Sequence, residues 1–207
     1  MTVTSEDIVV AAELCSTTLG QADDADWDAT AGVLDWTCKH TLDHIANTSI
    51  FYATALASRA KGPTPKVRNG DPAAPVGILL SVVPAAASIL AEVAKAAGHE
   101  ARGWHPAGVA DAEGFLAMGC DEVLVHTADI AAGLGVGFAA PVDLCQRVVA
   151  RLFPWAPIDT EPWSTLWWAN GRAPLGDRPR LDPDWYWHCA PLAEWDGTVK
   201  RRSAPPG

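Results

Sequence analysis

The sequence predicts an all-α fold, a helix bundle that carries a short Trp-rich C-terminal extension. Apolar residues recur at helical spacing in long segments divided by stretches rich in Gly and Pro. No convincing alternation marks a strand. The segment Ala112 to Leu134 is apolar around its whole axis, as a helix buried among others must be.

Periodicity places the first helix over Ser5 to Leu19, with Ile8, Ala11, Ala12, Cys15 and Leu19 on its apolar side and Gly20 as its stop. The polar stretch Gln21 to Asp28 leads to Trp36 and Thr37. Thr37 reads as the N-cap of a second helix running to about Ala60, and Trp36 as the apolar residue preceding it. Lys61 to Pro75, with its prolines and glycines, is long enough to cross a bundle instead of merely reversing the chain. A third helix covers Val76 to Ala97, with Pro84 either kinking it or marking its true start. Gly98 to Val109 reads as irregular chain, Ala112 to Leu134 as the fourth helix, and Pro141 as the first turn of a fifth that ends before Pro154. Beyond it the chain turns Trp- and Pro-rich, with a short helix from Pro162 to Asn170 stopped by Gly171. Trp163 and Trp167, four apart, share a face, so this tail is expected to be buried against the bundle.

A chain of 207 residues, 49% of them hydrophobic, has material for one sizeable core. Fifteen Lys and Arg against 25 Asp and Glu give a formal charge of −10, and only Lys200, Arg201 and Arg202 cluster basic residues. That composition argues against nucleic-acid and anionic-membrane partners. The opening Met1-Thr2-Val3-Thr4-Ser5-Glu6-Asp7 lacks the basic and apolar regions of a signal peptide. The most apolar stretch, Val76 to Val93, reads as shorter and weaker than a membrane span requires, so a cytoplasmic protein is expected. The five cysteines are scattered without a Cys-x-x-Cys pair, which supports neither a disulfide framework nor a thiolate zinc site.

The fourth helix carries the chemistry. Glu122, His126 and Asp129 fall on one polar line within an apolar surface, where even a neutral polar group without a partner costs roughly 2 to 7 kcal/mol. Glu122 and His126, with Cβ atoms roughly 5 to 6 Å apart, can reach one ion together. A nitrogen from another helix would complete a site of two histidines and one carboxylate with open positions. His44 on the second helix, close to the apolar row Ile45, Tyr52 and Leu56, is the best donor. The alternative is structural: a chance Glu and His pair, with His44 a core histidine bonded to a carbonyl. His40, one turn earlier, competes for the ligand role. Asp43 points away and reads as a surface or inter-helix partner. His188 and Cys189, set among Trp185, Tyr186 and Trp187, read as packing residues, and His99 and His105 as exposed loop histidines.

Three runs resemble the mycothiol-dependent maleylpyruvate isomerase N-terminal family, which is DinB-like. They are Leu34-Asp35-Trp36-Thr37 with Leu42-Asp43-His44-Ile45-Ala46, Gly103-Trp104-His105-Pro106 with Asp121 to Ala131, and Trp167 to Leu175 with Trp185 to Leu192 beyond. The resemblance implies a four-helix bundle with a long crossover between helices 2 and 3. Residues 1–153 would form the metal-binding bundle and 154–207 the extension packed on it. The family's metal ligands fall on His44, Glu122 and His126, for zinc or another divalent ion. Asp129 matches the Asp that follows the last ligand, which gives it a catalytic, ligand-orienting role, with a salt bridge inside the bundle as the alternative. Arg172 matches a Gly-Arg after the short helix; it either pairs with a carboxylate of substrate or thiol, as a catalytic and cofactor-binding group, or pins the tail to the bundle. Trp36 and Tyr52 are expected to line the pocket for the thiol cofactor.

The function so implied is S-transfer or isomerisation of a small electrophilic substrate by a mycothiol-like thiol, that is, a transferase or isomerase. The isomerase proper has a separate C-terminal domain in place of residues 154–207, which leaves the substrate open. A metal-water hydrolase or cyclase, and a non-catalytic stress protein binding a metal or ligand, use the same three residues and stand as alternatives.

Overall fold

The structure, a computed structural model, describes residues 2–22 and 24–202; Met1, Asp23 and residues 203–207 lie outside it. Six α-helices, one two-stranded hairpin and a short 3-10 turn (Leu192–Glu194) make up the regular structure of the described residues.

Helix α1 (Ser5–Leu19) is started by a capping box, in which the Thr4 side chain accepts from the Asp7 amide while Asp7 Oδ2 accepts from the Thr4 amide at 2.8 Å. Thr37 caps α2 (Cys38–Ser58) as expected, accepting from the His40 amide at 3.1 Å. This helix ends two residues before Ala60, at Ser58, because Arg59 adopts a left-handed conformation (φ 50°, ψ 34°). Helix α3 (Val76–Ala97) is continuous through Pro84, so the proline neither starts nor ends it. Pro84 cannot donate to the Leu80 carbonyl one turn back, and Ser16 on α1 does so instead, through its hydroxyl at 2.7 Å. At 22 residues, α3 is long and apolar enough to cross a membrane, contrary to the expectation from sequence. Its buried side, including Leu79, Val83, Ala87 and Leu90, belongs to the core formed with α1 and α2.

The stretch read as irregular between α3 and α4 instead contains β1 (Arg102–His105) and β2 (Gly108–Asp111), paired antiparallel across the turn Pro106-Ala107. Gly103 lies so close to the end of α2 that a Cβ there would sit 2.5 Å from the Ala55 carbonyl oxygen. The hairpin turns Gly103 and His105 inward. A strand whose inner face is Gly and His shows no hydrophobic alternation, and for that reason it escaped detection.

Helix α4 (Ala112–Leu134) is buried on nearly every side, and both α1 and α2 pack on it. Helix α5 (Val142–Leu152) follows Pro141, which caps it from outside its first turn, and α6 (Pro162–Ala169) packs on α5. Trp163 and Trp167 do share a face, with ring centroids 5.2 Å apart, but both are only half-buried; Thr165, Leu166, Trp168 and Ala169 are the residues α6 buries. The remaining tail lies on the helical core. Its anchor is Arg151, fully buried on α5, which donates to the carbonyls of His188 and Cys189 and to Asp111, the N-cap of α4. All five cysteines are free and buried.

Candidate metal centre

The polar line of α4 faces α2, and the geometry brings together the three residues singled out from sequence. His44 Nε2 lies 3.3 Å and His126 Nε2 3.0 Å from Glu122 Oε2. One ligand atom from each residue falls within 4.8 Å of the others, the spread that one ion spans with three donors. The donor chemistry also fits: two imidazoles and one carboxylate suit a borderline divalent metal. His44 is the open side, its side chain 27% exposed against 11% for each of the other two.

Two of the three candidate ligands, His126 and Glu122, are held from behind by further hydrogen bonds. Asp129 Oδ2 accepts from His126 Nδ1 at 3.1 Å, which fixes the ring's orientation and leaves Nε2 facing Glu122. Asp129 is in turn gripped by Arg172, through Nε at 3.0 Å and Nη2 at 2.8 Å. Asp129 is wholly buried behind His126. Arg172 both pins the tail and lines a cavity, so its two readings are compatible. Tyr52 donates to Glu122 Oε1 at 3.3 Å from a buried position. Trp36, 40% exposed, lies against His44 with ring centroids 4.9 Å apart and roofs the site. His40 stacks on the same indole at 4.8 Å and stays outside the ligand cluster.

Burial alone would raise the Glu122 carboxyl, yet hydrogen bonds to His126 and His44 hold it well below the usual carboxylate range. Burial would lower His126, but its bonds to Asp129 and Glu122 lift it to about 9. Burial likewise raises Asp129, and His126 and Arg172 together overcome it, leaving Asp129 low. Two carboxyls held low, Glu122 and Asp129, thus flank the raised imidazole of His126.

Two cavities meet at the cluster. The smaller, about 430 Å³, runs past Trp36, Asp121, Asn170 and Arg172; the larger, about 640 Å³, past Phe51, Tyr52, Lys66 and His105. Glu122, His44, Trp36 and Arg202 border both.

Several residues depart from expectation or were not foreseen. His105, expected in exposed loop, is buried in β1 and borders the larger cavity. Asp43 is no surface group: it is buried and held by Asn47 and by Arg68, 2.5 Å away in the long loop after α2. Asp121 received no role from sequence. It takes hydrogen bonds from Asn170 at 2.8 Å and Trp187 at 2.9 Å, and burial pushes its carboxyl up to about 7 against them. Its partners lie 49 and 66 residues away, so no local spacing signals the contact. His188 and Cys189 are buried packing residues and His99 is exposed, as read.

Comparison with known families matches residues 11–131 to the model described as mycothiol maleylpyruvate isomerase N-terminal domain. No curated protein and no solved structure matches the chain.

Proposed function

Since the chain belongs to the mycothiol maleylpyruvate isomerase N-terminal domain family, we propose that it is an enzyme that binds one divalent metal, zinc or a similar ion, on His44, Glu122 and His126 and uses a low-molecular-weight thiol of the mycothiol type. The observation that carries this reading is the convergence of those three ligand atoms within 4.8 Å at the junction of two cavities. A bound ion would supply the positive charge that lowers a thiol's pKa and makes a thiolate at neutral pH.

The chain's own residues do the rest. Asp129 and Arg172 hold His126 in the ligating orientation, and the Tyr52 hydroxyl positions the Glu122 carboxylate. Trp36 covers the site and limits water access from the side of His44. The thiolate sulfur adds to the electrophilic carbon of a carbon–carbon double bond conjugated to a carbonyl, forming a C–S bond while the π pair moves onto the carbonyl oxygen as an enolate. S-transfer ends when that enolate takes a proton on carbon, whereas isomerisation follows when, after rotation, the enolate pair re-forms the double bond and expels the thiolate. In this reading residues 1–153 supply the four-helix, DinB-like metal domain, and the tail closes one side of the pocket.

Titration of zinc-loaded protein with mycothiol and with cysteamine, from pH 6 to about 9 around the reference thiol pKa of about 8.5, tests it. Affinity should rise with pH until the free thiolate dominates, and mycothiol should bind more tightly than the bare thiol. No binding of either thiol, or binding indifferent to removal of the metal, would defeat the reading.

A further inference from the structure

His105 stands out among the residues of the larger cavity because its protonation is fixed by the backbone. Its Nδ1 accepts from the Ala107 amide at 3.1 Å, across the hairpin turn. An accepting Nδ1 in a neutral ring places the proton on Nε2. The ring is held by Phe51, Tyr52 and Trp187, with centroids 5.9, 5.6 and 5.6 Å away. Burial pushes its pKa down to about 4, the nearby Glu122 opposing and Arg202 assisting, so the ring is neutral near pH 7.

Nε2 then is an N–H donor, and among the described residues nothing accepts from it; nor is it sealed away, as the buried and unpartnered Arg151 Nε is. A residue only 6% exposed that borders a cavity of about 640 Å³ presents what surface it has to that cavity. Two cations, Lys66 and Arg202, border the same space. Arg202, whose guanidinium lies 5.4 Å over the Trp185 ring and 5.1 Å over that of Tyr186, lines the cavity, while Arg68 is already committed to Asp43. On a chain of net charge −10, this is a local reversal of sign.

We propose that the larger cavity receives the electrophilic substrate and that His105 Nε2–H, with Lys66 and Arg202, recognises a carboxylate oxygen on it. The proposal rests on the metal-thiol reading for the identity of the other reactant. His105 is a specificity-determining group here: a neutral donor of fixed tautomer accepts no proton from substrate or thiol and orients the acid beside the metal ligands.

Succinate, and its uncharged analogue succinamide, probe the site directly. In zinc-loaded protein followed by nitrogen-15 NMR of the histidine rings, His105 should show a protonated Nε2 that shifts saturably with succinate and little with succinamide. His105→Phe should weaken succinate about tenfold, the effect expected of one hydrogen bond to a charged group, and His105→Gln should restore most of it. A Nε2 signal unmoved at saturating succinate, or unchanged succinate affinity in His105→Phe, would overturn the assignment. The wild-type titration decides the matter even should that variant fold poorly. Zinc content and mycothiol binding, read on the same samples, keep the two claims apart: absence of thiol binding in wild type would defeat the metal-thiol reading, while the succinate response would still stand or fall alone.

Discussion

His126 carries a proton that a metal must displace. Its pKa is lifted from the usual 6.5 to about 9 by Asp129 and Glu122 against the effect of burial. A raised folded value means that this charge stabilises the metal-free protein fully below about pH 6.5 and that the contribution fades as pH climbs through about 9. The metal needs the neutral ring, so zinc binding at pH 7.5 is expected to release a proton, and affinity to rise about tenfold per pH unit for one proton. Calorimetry in buffers of different ionisation enthalpy measures that release; a buffer-independent heat would show that His126 is not the displaced acid. Much of this was legible at single residues. Glu122 and His126, one turn apart on an all-apolar helix, demanded a partner, and Asp129 stood on the same line. His44 was chosen over His40 by resemblance, and the structure places only His44 in the ligand cluster. Asp121 has no role that the sequence assigns and His105 reads there as exposed, because their partners come from the tail, from α2 and from a hairpin turn too short to show periodicity.

Elements are legible in the sequence where periodicity is long and hidden where it is brief. The helices of residues 5–19, 76–97 and 112–134 show in the sequence to their observed bounds, since each presents several turns of apolar repeat. The four-residue strands β1 and β2 offer two inward positions each, and β1 fills its own with Gly103 and His105. Gly103 tests how closely the hairpin must approach α2. Gly103→Ala would set a Cβ 2.5 Å from the Ala55 carbonyl oxygen and force the backbone apart, at a cost of about 1 to 3 kcal/mol, as for other overpacked sites. Urea unfolding should show a lower midpoint at unchanged slope; an unchanged midpoint would mean the hairpin floats freely. Ser16 tests the continuity of α3 through Pro84. Ser16→Ala orphans the Leu80 carbonyl and is expected to cost about 1 kcal/mol or more, whereas Ser16→Thr should retain most of the stability. Equal stability of wild type and Ser16→Ala would show that the carbonyl finds another donor.

Across the whole molecule, the tail is joined to the helical core by buried polar pins. Arg151 holds Asp111 and the carbonyls of His188 and Cys189, Asn170 and Trp187 hold Asp121, and Arg172 holds Asp129. Removing one partner of such a buried pair leaves the other charge stranded, so Arg151→Met is expected to destabilise by about 3 to 5 kcal/mol and to make the tail susceptible to limited proteolysis. A melting temperature within a degree or so of wild type, with an uncut tail, would show that Arg151 is not the anchor. The expectation that the extension packs on the helices rests on Trp163 and Trp167, whereas the pins are two arginines, an asparagine and Trp187, whose partners no sequence period reveals. Three of those pins end on Asp121 and Asp129, either side of Glu122 and His126, so the tail is tied to the close neighbours of the residues that would hold the ion. The proposed function turns on that ion. Native mass spectrometry of protein stripped by chelator and reloaded with zinc is the most direct test: one zinc per chain is expected in the wild type, and none in His44→Ala or His126→Ala variants that retain the wild-type helical content. A wild-type chain that takes up no zinc, or variants that still bind one, would contradict the metal centre.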